Sequence, residues 1–161
     1  MKTVEIKDIS KIEEYISQSN ICYLSMTDSE GIPYSLPMNF GYEDKCIYLH
    51  SAPEGNVYEY ITANSPVSIT FCTNAELVYQ SENIACSYRM RAASVIAKGD
   101  VVIVEDMEEK RHALNSIMQH YTNGDFTYRD PAVRNVFVFK LKASQMTCKA
   151  FGIKYKESLN M

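Results

Sequence analysis

The five cysteines, Cys22, Cys46, Cys72, Cys86 and Cys148, are odd in number and contain no CxxC pair. That argues against a disulfide framework and against a zinc site, and it points to a reduced, cytoplasmic setting. The first residues, MKTVEIKDIS, lack the apolar centre of a signal peptide, and no uninterrupted apolar run approaches the length of a membrane span. Positive charge is not in excess either: 16 Lys and Arg face 20 Asp and Glu, a net charge of −4. No overall field would draw in DNA, RNA or an anionic membrane, and the basic residues are dispersed apart from Arg89 and Arg91. Repeats, low-complexity tracts and linkers are missing too. The chain shows no Ser/His/Asp arrangement, and Ser51 lacks a nucleophile-elbow sequence. Two of its three histidines, His112 and His120, stand eight apart on one expected helix, about 80° around it, without the carboxylate spacing of a metal motif.

What is present is a chain of 161 residues, 46% hydrophobic and 22% charged, as expected of one soluble globular domain with a sizeable core. A helix is expected from Asp8 to Gln18, with Ile9, Ile12 and Ile16 on one face and Ser10 and Glu13 at capping-box spacing. Strands are expected over 20–27, 32–42, 45–50, 67–72, 85–104 and 133–141. A Gly31 turn separates the first two, Glu43-Asp44 makes a hairpin, and Gly99 marks a bulge or bend in the long fifth strand. A short helix over 54–63 stops near Asn64-Ser65-Pro66. A third helix follows Asp106, with Glu109 as its cap partner and Met107, Leu114, Met118 and Tyr121 as its apolar stripe. Six strands and three helices without βαβα alternation predict a mainly β fold: an antiparallel sheet that curls or closes, with helices outside.

Chemistry concentrates in a few stretches. His50 ends an apolar strand and runs into Ser-Ala-Pro-Glu-Gly-Asn, a small-residue turn before a helix. Such a turn lets backbone N–H groups approach an anion, and the helix start favours one. His50 itself is open to three readings: a base, a ligand contact, or a residue that simply ends its strand. Arg89 and Arg91, two apart on a strand, share a side and could hold a phosphate or carboxylate, although exposed strand charges would look the same. Tyr88 and Met90 are expected to face the other way, into packing. Pro33 and Pro37 cannot donate to a sheet ladder, so their strand is expected at an edge or opening, followed by Asn39 and irregular backbone.

Taken in order, GIPYSLPMNFGYEDKCIYLHSAPEGN, NSPVSITF and SVIAKGDVVIVEDMEEKRHALNSIMQHY resemble the flavin-binding split-barrel proteins related to pyridoxamine 5′-phosphate oxidase, and most of all the group that includes nitroimidazole-resistance proteins. The resemblance covers a core of about 8–147 in a single domain, 1–161, with a C-terminal tail over 148–161. It implies a six-stranded antiparallel split barrel that forms a homodimer, with flavin mononucleotide (FMN) at two sites across the interface. By the same resemblance Pro37, Met38 and Asn39 lie against the isoalloxazine ring, His50, Ser51 and Ala52 approach the flavin, and Ser94 and Val95 help complete the phosphate site. His50 is the matching histidine near the reacting centre.

Two departures stand out: Asn56 where the family carries a lysine, and Ala92-Ala93 where it has Tyr-Arg. Both remove groups that help bind phosphate, and Arg89 and Arg91 are the candidates to replace them. The leading expectation is an FMN-dependent oxidoreductase for a small planar, nitroaromatic-type substrate, with a nicotinamide cofactor, NAD(P)H, as electron donor. A flavin carries the redox chemistry itself, which accounts for the missing acid–base constellation. The alternatives are a flavin- or haem-binding protein without turnover and a ligand-free split-barrel interaction module. No metal site, nucleic acid or membrane is expected.

Overall fold

The protein is described by a computed structural model covering residues 2–153. In chain order the elements are β1 (Lys2–Ile6), α1 (Ile9–Ser17), β2 (Cys22–Thr27), β3 (Pro33–Met38), β4 (Gly41–Glu43), β5 (Cys46–Ser51), α2 (Asn56–Thr62), β6 (Ser68–Val78), β7 (Arg89–Val104), α3 (Met107–Tyr121), α4 (Asp130–Arg134) and β8 (Phe137–Ile153). A 3₁₀ turn over Ala85–Ser87 precedes β7. The strands follow the path β3-β2-β6-β7-β8-β5-β4, and β1 pairs with β8. The fold class is mainly β and antiparallel, as expected. No helix among the described residues is long and apolar enough to cross a membrane.

Two compact units divide the chain. One holds Thr70–Ile96 with the segments up to Ser19 and from Met146 on; the other holds Asn20–Ile69 and Ala97–Gln145. In the first, α1 is capped by Asp8, whose Oδ1 accepts from the Ser10 N–H at 3.0 Å. The expected Ser10–Glu13 box gives way because Asp8 already satisfies the first free amide. Ile12 and Ile16 are buried, and Ser19 and Thr73, polar but buried, donate to the Tyr15 and Gln18 carbonyls. β1 was not expected. It pairs with the end of β8, Ile6 opposite Cys148, where only a distant partner makes it a strand.

The second unit carries the closure. Its hairpins follow local sequence: Asp44 and Lys45 both take positive φ, 48° and 62°, as a two-residue type I′ turn requires, and join Glu43 to Cys46. Gly31 has φ +82, and Asp28 Oδ1 accepts from the Glu30 and Ile32 amides at 2.9 and 2.8 Å. β2 buries Cys22, Leu24 and Met26 on one face and pairs with β3 in the register Leu24 opposite Leu36. The expected 32–42 strand is two strands, β3 and β4, separated by Asn39 and Phe40 alone. Since β3 and β4 stand at opposite ends of the strand path, that two-residue link brings the path back on itself.

Helix α3 packs at this corner. Asp106 caps it, accepting from the Glu108 and Glu109 amides at 3.0 and 2.9 Å. Glu109 does not complete a capping box, because its carboxylate pairs with Lys140. The residues α3 buries are Ala113 and Ile117, which join Tyr48, Val104 and Val138 in one cluster. The expected stripe of Met107, Leu114, Met118 and Tyr121 flanks that face. Small Ala113 admits the helix closely, and a β-carbon on Gly41 would lie 2.6 Å from the Ile117 nitrogen.

Two further expectations are corrected. α4, unforeseen, starts at Asp130-Pro131, and it takes Val133 and Arg134 from the expected last strand, so β8 begins at Phe137. The expected tail from 148 begins inside β8, and its residues 154–161 lie outside the described part.

Glycines separate close packing from dihedral strain. A β-carbon on Gly99 would stand 1.9 Å from the Lys142 carbonyl oxygen, whereas one on Gly31 would meet nothing within 4 Å. Gly99→Ala and Gly41→Ala should each cost about 3 kcal/mol, the upper end for overpacking. Gly31→Ala should cost about 1–2 kcal/mol, for the left-handed backbone alone. Urea unfolding of the three variants checks this, and equal losses would contradict the close approaches.

Candidate functional site

The β5 strand delivers His50. It pairs with β8, His50 opposite Val138 and Ser51 opposite Phe137. Tyr48, two residues earlier on the same face, meets His112 of α3 edge-to-face at 5.6 Å. His50 is half-buried, and its Nδ1 is buried with no hydrogen-bond partner among the described residues. Desolvation therefore holds the imidazole below its ordinary value of 6.5, in the neutral form at pH 7. Desolvation alone shifts it, and no carboxylate among the described residues is paired with it, so nothing among them equips His50 as a general base. The geometry does leave an unsatisfied ring nitrogen that a ligand could engage.

After His50 the chain turns through exposed residues. Ser51 Oγ donates to the Ala52 carbonyl at 2.9 Å, so its proton is spent locally. Gly55 has φ +85 and precedes α2, a helix of seven residues whose start no side chain caps. Asn56 is its first residue and is exposed. Tyr58 packs edge-to-face on Phe137 at 4.9 Å, which docks α2 on β8.

Pro37, Met38 and Asn39 lie at the far end of β3. Pro37 pairs with Tyr23 and Met38 with Cys22, and β3 is the end of the strand path, where prolines leave no ladder bond unmade. Past the two-residue link, Gly41 faces Tyr48 in the antiparallel β4–β5 pair, two residues before His50 on β5. Within the link, the Phe40 amide donates to Tyr121 Oη at 3.2 Å.

The β7 candidates lie in the other unit. By strand alternation Arg89, Arg91 and Val95 share one face and Ser94 takes the other. Arg91 forms an ion pair with Glu76. Arg89 donates from Nη1 to the Ser87 carbonyl at 2.9 Å, while its Nε is buried without a partner among the described residues. Val95 is only 1% exposed, so it could offer a ligand its backbone alone. Ala92 and Ala93 are both buried. Tyr88 stacks on Tyr79 at 4.7 Å, but Met90, expected in packing, is 44% exposed. The β8 backbone passes close to that of β7 here: a β-carbon on Gly152 would lie 2.3 Å from the Met90 carbonyl oxygen.

Other features escaped the sequence. Glu43 pairs with His112 Nε2 at 2.8 Å beside a cavity of about 340 Å³ lined also by Tyr42, Asn115 and His120. A second cavity of about 350 Å³ is lined by Ser25, Thr27, Pro33, Val67 and Lys98. Among the described residues no group of three His, Cys, Asp or Glu is placed to hold a metal. Burial pushes the Cys22 and Cys148 thiols up to about 12 and about 11, so neither supplies a thiolate at neutral pH.

This mainly antiparallel fold with its closing β3–β4 link is of the split-barrel class. The chain belongs to the pyridoxamine 5′-phosphate oxidase family, whose signature matches residues 8–150. It is similar to a candidate 5-nitroimidazole antibiotic resistance protein from Bacteroides thetaiotaomicron, at 52% identity over 92% of this chain and 87% of that one, with a TM-score of 0.83. It shares its fold with a flavocytochrome from Azotobacter vinelandii, at 15% identity over 98% of this chain and 75% of that one, with a TM-score of 0.79. An FAD and haem binding protein from Mycobacterium smegmatis aligns at 12% identity over 97% of this chain and 78% of that one, with a TM-score of 0.78. No curated protein matches the chain.

The His50 environment has a pH signature. Its folded value is lowered, so the unfolded chain binds the extra proton first, and stability is lost as pH falls from the ordinary 6.5 towards the folded value. Below the folded value the loss is complete. His50→Phe should flatten that part of the stability curve, measured by urea unfolding at stepped pH, and an NMR titration should place the wild-type midpoint below 6.5. A midpoint at or above the ordinary value would contradict a desolvated imidazole.

Proposed function

We propose that the protein is an FMN-dependent oxidoreductase of the flavin reductase or nitroreductase type, acting on a small planar substrate, with nitroaromatics as the first class to test. The reading is carried by the 52% identity to a candidate 5-nitroimidazole antibiotic resistance protein over 92% of the chain. Within the fold it is supported by the buried His50 Nδ1, which has no hydrogen-bond partner among the described residues. An orphaned buried nitrogen costs about 1–3 kcal/mol, a cost that a bound flavin or substrate would relieve.

On this reading Pro37, Met38 and Asn39 flank the ring system, and His50, Ser51 and Ala52 approach it from the β5 end. A neutral His50 would orient ligand through Nδ1 rather than remove a proton. Phosphate binding falls to Asn56, Arg89, Arg91, Ser94 and the Val95 backbone. Bound FMN supplies the electron-carrying chemistry between a nicotinamide cofactor, NAD(P)H, and the substrate. We assign the working form to a homodimer with its ligand sites at the interface, in the cytoplasm.

A second reading, a haem- or flavin-binding protein without turnover, is favoured by two observations. The phosphate-binding residues are altered at Asn56 and Ala92-Ala93, and fold relatives include a flavocytochrome and an FAD and haem binding protein. His50 would then be the candidate axial ligand.

The absorption spectrum of the purified protein separates the readings. A flavin spectrum that bleaches on adding NAD(P)H supports the enzyme, a Soret band supports haem, and a colourless protein that takes up neither ligand rejects both. For the phosphate, Arg91→Ala should weaken FMN binding about tenfold and Asn56→Lys should strengthen it, read by fluorescence titration. Unchanged affinity in Arg91→Ala removes that residue from the site.

A further inference from the structure

We propose that Tyr121 is a positioning residue for the segment Pro37–Asn39: its hydroxyl holds the Phe40 amide and so fixes how that segment presents itself to the flavin. The inference rests on the flavin reading above and adds a residue that reading does not contain. Three observations carry it. First, Phe40 follows directly on Asn39, and its N–H donates to Tyr121 Oη at 3.2 Å, a contact spanning 81 residues. Second, Phe40 is fully buried and held on two sides, by the His120 ring at 4.2 Å and by the Tyr121 ring at 6.4 Å and 77°. Third, Gly41 is pressed against the Ser116–Ile117 backbone, so α3 cannot move without carrying the β3–β4 link with it.

The Tyr121 side chain is 41% exposed, yet its hydroxyl is turned inward to the Phe40 amide. Burial raises the phenol above its ordinary range, the Phe40 N–H acts against that, and nearby Cys22 adds to it. Cys22 pairs with Met38 across β2 and β3, so the phenol reaches the place where β2 starts and β3 ends. Asn39 and Phe40 lie between β3 and β4 rather than in either strand, and the phenol oxygen accepts from the Phe40 amide in that link. Without it the amide would turn to find another acceptor, and the adjoining Asn39 carbonyl would turn with it, because the two share one planar peptide group.

Replacing Tyr121 with Phe deletes the acceptor and keeps the ring. In FMN titrations of the apoprotein, Tyr121→Phe should weaken binding about tenfold, shift the long-wavelength flavin band and move the flavin reduction potential, with an unchanged far-ultraviolet circular dichroism spectrum. A role in folding alone would lower the unfolding midpoint but leave band and potential where they are. Difluorotyrosine placed at position 121, read at mildly acid pH where its acidified phenol stays neutral, weakens the acceptor with little change in volume, and it should move affinity and band in the same direction by less. It also gives the answer if Tyr121→Phe does not fold. Wild-type affinity, band and potential in the folded variants would overturn the proposal. Wild-type protein that binds no FMN would instead overturn the flavin reading on which it rests.

Discussion

At the crossing of β4 and α3, Gly41 lies so close to the Ser116–Ile117 peptide that a methyl group there would stand 2.6 Å from backbone atoms. Much of the second unit follows from that contact. It requires glycine at the start of β4 and a small residue, Ala113, on the facing side of the helix. With the helix held there, Ile117 and Ala113 close over Tyr48, Val104 and Val138, and Tyr121 arrives at the Phe40 amide. The β3–β4 link is therefore fixed from outside by a helix more than sixty residues later in the chain. Close-packed cores transmit displacement rather than absorb it, so shape at this corner is also shape at the end of β3.

Polar groups around the corner divide by how well they are satisfied. Lys140 is mostly buried and pairs with Glu109, which raises its affinity for a proton through that hydrogen bond and offsets the cost of its burial. His112 and Glu43 pair in the open, where such a contact contributes little to stability. His50 has neither arrangement. Its buried nitrogen lacks any partner among the described residues, which is costly for a structural residue. An unmet hydrogen-bonding group at the end of a strand is more economically explained by a ligand than by packing.

What could be read in the sequence was what is decided locally. The Asp28–Gly31 turn, the Asp44-Lys45 hairpin and the Asp106 cap are set by residues within a few positions of one another. β1 was not legible, because its partner lies some 140 residues away on β8. The α3 face was misread since large apolar residues dominate a periodicity, while the face was decided by how close the helix could come, which favours Ala113. In the candidate site, His50 stood out as a strand end and Pro37 as an edge residue. The Arg91–Glu76 pair and the Tyr121–Phe40 bond link positions 15 and 81 residues apart, with no local trace of either.

The same distinction bears on the two arginines of β7 proposed for the phosphate. Arg91 is engaged with Glu76, but both side chains are substantially exposed, at 43% and 58%, and an exposed pair of this kind holds weakly. A phosphate carries more charge than one carboxylate and offers more acceptors to a guanidinium, so it could take Arg91 from Glu76 at little cost. Arg89 stands differently. Its Nη1 is tied to the Ser87 carbonyl and its Nε is buried with nothing to donate to among the described residues. An unpaired buried donor on a group that cannot lose its charge penalises the free protein, and an anion reaching it would remove the penalty. Of the two, Arg89 therefore gains more from a bound phosphate, and Arg91 is the one that must first exchange a partner.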